Sequence, residues 1–258
     1  SFEIIGKTAD SGEIEIAAEG EKISVEEMIR AWTEPLESVF PTKAKEDSRT
    51  ITAFSCTERS TASPAVKIAR PKVFIPVFPG TNCEMDSRRA FERAGGDVEM
   101  QILANLTPAV LDESIRQMVK KIKESQIIMI PGGFSGGDEP DGSAKFITAV
   151  FRNPAVSEAV TELLEKRDGL MLGICNGFQA LVKLGLVPYG EIVEMKDDSP
   201  TLTFNSIGRH QSMMVTTRIA SNKSPWLYNT HVGDYHTVPI SHGEGRFVAS
   251  DDVLAQLK

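Results

Sequence analysis

Gly173-Ile174-Cys175-Asn176-Gly177-Phe178-Gln179 is the stretch whose reading decides the fold. The apolar run Gly169-Leu170-Met171-Leu172 precedes it and reads as a buried strand. Phe178-Gln179-Ala180-Leu181-Val182-Lys183-Leu184 follows and reads as a helix. A cysteine on a strand-to-helix turn, with glycine two residues before it and two after, has the form of a nucleophile elbow. Such a turn is tight, so its flanks need residues that tolerate strained dihedrals and close backbone approach. The sulfur then stands at the positive end of a helix, which favours negative charge, and thiolate is the reactive form of cysteine. The backbone N–H groups at that end can hold an oxyanion. A solitary cysteine more often fills an apolar core. The paired glycines, the strand before and the helix after weigh Cys175 toward the nucleophile.

Working outward, the region from Pro71 onward alternates strands with helices. Val73-Phe74-Ile75-Pro76-Val77-Phe78, Val98-Glu99-Met100-Gln101-Ile102-Leu103 and Ile127-Ile128-Met129-Ile130 read as strands, although Pro76 is awkward inside a sheet. Thr107 caps a helix with Pro108 in its first turn, and Leu111, Ile115, Met118 and Ile122 recur at helical spacing. Asn153-Pro154 opens another, with Val156, Val160, Leu163 and Leu164 inward. The alternation predicts an α/β fold, a parallel sheet with helices on both faces and right-handed crossovers. Sites in such sheets lie beyond the carboxyl ends of the strands.

Residues 1–40 read differently. Phe2-Glu3-Ile4-Ile5 and Glu13-Ile14-Glu15-Ile16 alternate as strands do, with Asp10-Ser11-Gly12 as the turn between them. Ser24-Val25-Glu26-Glu27 is a capping box, so a helix starts after Ser24 and carries Met28, Ile29, Trp32 and Leu36 on one face. That is too little to bury a core, which suggests the tail of a larger domain. Residues 41–70 have the mixed charge and small polar residues of a linker.

The bulk composition sets limits. The chain has 258 residues, 41% hydrophobic and 25% charged, which suits a globular protein of up to two domains. A net charge of −8 argues against a nucleic-acid partner. Three widely spaced cysteines make neither a disulfide framework nor a zinc site, so a reducing, cytoplasmic setting is expected. No apolar run is long enough for a membrane partner, and the first residues lack the pattern of a signal peptide.

Three loops converge on the predicted site: Phe78 to Glu84, Pro131 to Gly137, and the elbow. The second loop, Pro131-Gly132-Gly133-Phe134-Ser135-Gly136-Gly137, could aim an N–H at developing negative charge. It lacks the Gly-Lys-Ser/Thr ending of a phosphate-binding loop. The acidic run Asp138-Glu139-Pro140-Asp141-Gly142 reads as a solvated loop, and no metal site is expected. Cys83 reads as structural and Cys56 as a linker residue. Among four histidines, His210, His231 and His236 stand in a polar stretch with no motif nearby and read as exposed or structural. His242, in Ser241-His242-Gly243-Glu244-Gly245-Arg246, has a glutamate two residues on. On spacing alone it makes the best base-and-orienter pair in the chain.

Together GICNGFQ at Gly173 to Gln179, Gly132-Gly133-Phe134-Ser135, Pro79-Gly80-Thr81-Asn82-Cys83-Glu84 and Ser241-His242-Gly243-Glu244-Gly245 resemble the glutaminase domain of the formylglycinamide ribonucleotide amidotransferases, or phosphoribosylformylglycinamidine synthases. The resemblance runs from about Pro71 to the last residue. It implies a class I glutamine amidotransferase-like, flavodoxin-like α/β fold over 71–258. It further implies a linker over 41–70 and, over 1–40, a small α+β remnant ending the ATP-binding synthetase domain of the large single-chain form. Glutamine would be hydrolysed at Cys175 through a glutamyl thioester, and ammonia would pass to a synthetase site of the same full-length chain. ATP and Mg are implied for that synthetase part, and no cofactor for this segment. Gly133 and Asn176 would shape the oxyanion hole; Phe134 and Gln179 would contact glutamine. The family's triad histidine and glutamate lie in a His-Pro-Glu segment near the carboxyl end, and none occurs here. The expectation is a domain truncated at that end, lacking its general base and inactive alone. Asn82, His242 and Glu244 would then be site or interface residues outside the triad. Two other readings stay open: a cysteine hydrolase of this fold on another substrate, against which the glutamine-type elbow speaks, and a non-catalytic binding module.

Overall fold

The computed structural model describes residues 2–16, 18–44, 53–58, 67–136 and 143–257. The acidic run at 138–142 and most of the charged and polar stretch at 45–66 lie outside these residues. The chain divides into two units, Ser1–Thr50 with Ser206–Arg209, and Ile51–Asn205 with His210–Lys258.

In the first unit, β1 (Glu13–Ile16) pairs antiparallel with β2 (Glu21–Ser24), Ile14 opposite Ile23. Helix α1 (Val25–Thr33) follows directly, and Ser24 Oγ accepts from Glu27 N at 3.3 Å as the capping pattern requires. Met28, Ile29, Trp32 and Leu36 all remain exposed, and no residue of α1 is buried. Phe2 to Ile5 is not a strand, which corrects the sequence reading. Alternation supplies one face but no ladder partner, and a strand exists only when paired. The hairpin turn falls instead between β1 and β2, where Gly20 takes φ +69°.

The second unit carries the sheet. Its strands are β3 (Lys72–Val77), β4 (Asp97–Ile102), β5 (Ile127–Ile130) and β6 (Leu170–Gly173), all parallel and in the order β4-β3-β5-β6. Helices α2 (Glu84–Arg93), α3 (Pro108–Glu124), α4 (Lys145–Phe151), α5 (Pro154–Thr161), α6 (Asn176–Leu184) and the short α7 (Leu186–Tyr189) connect or follow them. Period two divides the strand residues between two cores. Phe74, Ile128 and Ile130 face the larger one, with Met118 and Ile122 of α3, Phe151 of α4, Val160 of α5 and Leu184 of α6. Val73, Ile75 and Met129 face the other, with Phe91 of α2. Burial on both faces explains why these strands read as nearly continuous apolar runs. The caps fall where the sequence placed them: Thr107 Oγ1 accepts from Val110 N, and Asn153 Oδ1 from Ala155 N.

Pro76 sits in a central strand without disrupting it. Lys72 exchanges bonds with Gln126 on the β5 side, whereas Val77 O accepts from Leu103 N on the β4 side. Alternation therefore turns the N of residue 76 toward β5, and the β3–β5 ladder has already ended at Phe74–Ile128. The ladder thus stops where the proline has no N–H to donate.

Two antiparallel pairs complete the unit: β7 (Thr201–Thr203) with β10 (Arg246–Val248), and β8 (Gln211–Arg218) with β9 (Tyr235–His242). Helix α8 (Asp251–Gln256) follows β10. Part of the expected linker is docked here: Cys56 N donates to Ala220 O at 2.8 Å, and Arg218 Nη1 to Ser55 Oγ at 3.0 Å. Trp226 Nε1 donates to Met171 O at 3.1 Å, closing part of the β6 edge.

The elbow depends on close approach. An added Cβ on Gly177 would overlap Ile130 O of β5, and one on Gly173 would lie 2.5 Å from Gly177 O. Gly177→Ala is therefore expected to destabilise the protein by about 3 kcal/mol, the upper part of the overpacking range, because the obstacle is backbone. Urea unfolding monitored by circular dichroism measures this; a loss under about 0.5 kcal/mol would contradict the packing described.

Candidate active site

Cys175 stands between β6 and α6 with φ +54° and ψ −111°, a conformation costly for any residue bearing a Cβ, by about 1–3 kcal/mol. Three backbone bonds hold it there: Ile174 N to Ile130 O at 3.1 Å, Gly177 N to Ile174 O at 2.9 Å, and Gln179 N to Cys175 O at 2.9 Å. The residue is exposed. Its sulfur thus occupies the N-terminal end of α6, where first-turn N–H groups face incoming negative charge.

The glycine loop lies against it. A Cβ on Gly132 would come within 3.1 Å of Cys175 Cβ, a tight contact that a side chain there could make only if the elbow shifted. Gly133 has φ +124°, and its N–H donates to no acceptor among the described residues. The loop is pinned to its neighbour by Asn82 N to Gly132 O and Phe134 N to Gly80 O, each 2.9 Å. Asn82 thus serves through its backbone; it is exposed and lines no part of the main cavity. The Gly80 conformation, φ +86°, brings it so close to Phe134 O that a side chain has no space.

A cavity of about 240 Å³ opens over the elbow, lined by Gly133, Phe134, Ser143, Cys175, Gln179, Phe204, His210, Ser241, His242, Gly243 and Glu244. Its size suits a small metabolite. A second hollow, on the side of Ile174, Phe178 and Leu202, shares Cys175, His242 and Glu244.

A buried amide relay joins the glycine loop, the elbow helix and the turn after β9. Ser135 N donates to Asn176 Oδ1 at 3.3 Å, Asn176 Nδ2 to Gln179 Oε1 at 3.1 Å, and Gln179 Nε2 to Glu244 O at 3.1 Å. The side chains of Asn176 and Gln179, 1% and 9% exposed, therefore hold the walls together. What they can offer a ligand is limited accordingly: Asn176 its first-turn N–H, Gln179 its remaining donor capacity.

His242 and Glu244 both line the cavity, but they are not partners. Glu244 Oε2 accepts from Ser143 Oγ at 2.6 Å. His242 Nδ1 instead meets Asn205 Oδ1 at 2.9 Å. Gly245 N donates to that same oxygen at 3.1 Å, and Asn205 Nδ2 donates to His242 O at 2.7 Å, so the orientation of the amide is determined. Nδ1 must then carry the proton, leaving Nε2 of the neutral ring as an acceptor. The imidazole lies so close over Gly245 that a Cβ there would overlap it. Spacing alone suggested a His242–Glu244 pair; β9 ends at His242 and the backbone turns before Glu244, which separates the two side chains, and asparagine takes the orienting place.

His210, read from the sequence as exposed or structural, is exposed but borders the same cavity and contacts Ser241 Oγ at 2.9 Å through Nε2. His231 and His236 stay outside it. Ser143 and Asn205 were missed. Each contacts residues dozens of positions away, and neither has a local motif. Among the described residues no group of side chains could hold a metal ion, and no helix is long and apolar enough to cross a membrane.

A thiol on a strained elbow, beside a loop N–H and at a helix N-terminus, is an arrangement that could serve acyl transfer through a covalent thioester, and the parallel sheet beneath it is that of the glutamine amidotransferases. The chain belongs to the CobB/CobQ-like glutamine amidotransferase domain family, whose model matches residues 70–258. It is similar to the phosphoribosylformylglycinamidine synthase subunit PurQ of Methanococcus maripaludis, 32% identical over 193 residues, 73% of this chain and 63% of that one. It is similar also to the subunit PurQ of Dehalococcoides mccartyi, 34% identical over 191 residues, 74% and 68% of the two chains. The chain thus spans just under two thirds of the length of the first of these relatives. A solved structure of PurLQS from Thermotoga maritima matches with a TM-score of 0.51 at 27% identity, over 71% of each chain.

Removing the orienting amide tests the geometry. Asn205→Ala is expected to release the imidazole, so that ¹⁵N shifts of His242 move from one fixed tautomer to a mixture, and to cost about 1–3 kcal/mol through unpaired Gly245 N and His242 O. An unchanged tautomer in the variant would show that Asn205 does not set it.

Proposed function

We propose that this chain is the glutaminase part of an ATP-dependent synthase that converts formylglycinamide ribonucleotide to formylglycinamidine ribonucleotide. The observation that carries the reading is Cys175 on its elbow between the Gly133 N–H and the start of α6. The names of the relatives support the pathway, and the glycine loop and the His-Gly-Glu-Gly turn support the substrate. Cys175 Sγ attacks the side-chain carbonyl carbon of glutamine. The carbonyl oxygen takes negative charge and is met by the N–H groups of Gly133 and Asn176; each such donor is worth about 3 kcal/mol. Collapse breaks the C–N bond and, with a proton delivered to nitrogen, releases ammonia and a γ-glutamyl thioester. Water then attacks the thioester, giving glutamate and restoring the thiol. Ammonia passes to the synthetase, where ATP activates the formyl amide oxygen of the ribonucleotide. ATP and Mg act there and have no role in the steps at Cys175. Residues 1–40, outside the family match, are read as the end of the synthetase domain of the single-chain form, and the setting as cytoplasmic.

Neither imidazole of the cavity is held by a carboxylate among the described residues. This chain alone is therefore expected to turn glutamine over slowly, the general base coming from a His-Pro-Glu segment as the family resemblance implies. One observation favours a second reading. Cys175 and His242 line the same cavity and Asn205 orients the imidazole, the residue types used by Cys-His-Asn hydrolases, in which His242 would act as base.

The deciding experiment treats the chain with a glutamine-like diazo-ketone, maps the adduct by mass spectrometry and assays glutamate release. Expected are alkylation confined to Cys175, protection by glutamine, and glutamate release at least about a hundredfold below that of the chain joined to a His-Pro-Glu segment. Labelling of Cys83 or Cys56 equal to that of Cys175 would overturn the assignment. Comparable release by the two chains, abolished by His242→Ala, would favour the second reading.

A further inference from the structure

Ser206–Arg209 stand in the chain between two residues of the site, yet they group with residues 1–50 and not with the unit that carries the sheet. They are the middle of the loop from β7 to β8. On one side Asn205 is fixed by its bonds to the His242 ring and to Gly245 N, and its own N donates to Gly243 O at 2.8 Å. On the other side His210 lines the main cavity and meets Ser241 Oγ at 2.9 Å. Between them packing does little: Ser206 and Gly208 are exposed, and a Cβ on Gly208 would meet nothing within 4 Å. Arg209 supplies a hold instead. Its Nε and Nη2 both donate to Pro41 O, at 3.0 and 2.7 Å. That acceptor is itself fixed. Glu34–Leu36 forms a 3₁₀ turn after α1, and Phe40 N donates to Leu36 O at 2.7 Å. Glu37 Oε1 then accepts from Thr42 N and from Thr42 Oγ1, at 2.7 and 3.0 Å. Two charge-assisted bonds from one planar guanidinium to a fixed oxygen define both position and orientation.

We propose that Arg209 is a positioning residue for the glutaminase site: its latch on Pro41 O holds the β7–β8 loop so that His210 stays on the cavity wall. The inference rests on the glutaminase reading of Cys175. It goes beyond that reading because the family match covers residues 70–258, and the acceptor of the latch lies outside it. Arg209 does not line the cavity and acts through its neighbour in the chain. With the latch open, Asn205 keeps its own bonds and the His242 ring keeps its orientation, so the wall that moves is His210. A site whose wall is in place for only a fraction of the time binds more weakly by that same fraction. The chemistry at Cys175 is untouched, since β5 and α6 hold the elbow. Loss of the latch therefore weakens binding and leaves the rate at saturation.

The test follows alkylation of Cys175 by 6-diazo-5-oxonorleucine in the full chain over a range of reagent concentrations, beside the ¹⁵N signals of the imidazoles. In Arg209→Ala the half-saturating concentration is expected to rise about fivefold, with the limiting rate retained within about twofold. The His210 signals broaden, while those of His242 keep one tautomer. Arg209→Lys, which keeps the charge and a donor for Pro41 O, recovers part of the lost affinity. Glu37→Ala removes the acceptor of Thr42 and loosens the turn that presents Pro41 O. It is expected to raise the half-saturating concentration in the same direction and to add little in the double variant, because both changes act on one contact. It also carries the test if Arg209→Ala does not fold. An unchanged half-saturating concentration in either variant, a loss confined to the limiting rate, or full additivity of the two would overturn the proposal. If the unchanged chain were not alkylated at Cys175, the glutaminase reading itself would fail. The His210 signals would still decide the latch, and sharp, unshifted signals in Arg209→Ala would overturn it.

Discussion

The approach of Gly177 to the carbonyl of Ile130 is the constraint on which the rest depends. It lets the chain turn from β6 into α6 with no side chain between elbow and sheet. The turn in turn forces Cys175 to φ +54°, which lifts its thiol away from the sheet. The strain is tolerated because both flanks are over-determined, by the ladder of β5 with β6 on one side and the packed face of α6 on the other. Everything chemical is then placed by reference to β5: its carboxyl end runs into the glycine loop, where Gly132 packs closely beside Cys175 Cβ.

A second constraint assembles the cavity from distant parts of the chain. The amide relay from Ser135 through Asn176 and Gln179 to Glu244 spans the glycine loop, the elbow helix and the turn after β9. A buried amide network of this kind is strong when complete and costly when broken. It uses Asn176 and Gln179, the two polar residues that follow Cys175 in the motif, so the same seven residues that shape the nucleophile also fasten the opposite wall. Asn205 does the same for His242, accepting from both the ring and Gly245 N.

Much of the fold was legible because it is periodic. The four parallel strands, the caps at Thr107 and Asn153 and the elbow follow from local patterns, and each appears within a residue or two of its expected place. Where pairing partners decide, local reading failed: Phe2 to Ile5 alternates but has no ladder. Helix α2 escaped notice because Glu84-Met85-Asp86-Ser87-Arg88-Arg89 carries little apolar signal, its inward residue Phe91 coming late. Within the site, Cys175 and Gly133 announced themselves through glycine spacing. Ser143 and Asn205 did not, since their roles are fixed by contacts across 101 and 37 positions. The His242–Glu244 pairing failed for a related reason. Two residues apart in sequence, they diverge because β9 ends at His242 and the backbone turns between them.

The account is tested most directly by a crystal structure of the chain trapped with glutamine at low temperature. It predicts a γ-glutamyl thioester on Cys175 Sγ, with the carbonyl oxygen within hydrogen-bond distance of the N–H groups of Gly133 and Asn176. A thioester whose oxygen points away from both, or glutamine bound with Cys175 outside reach of its side-chain carbonyl, would contradict it.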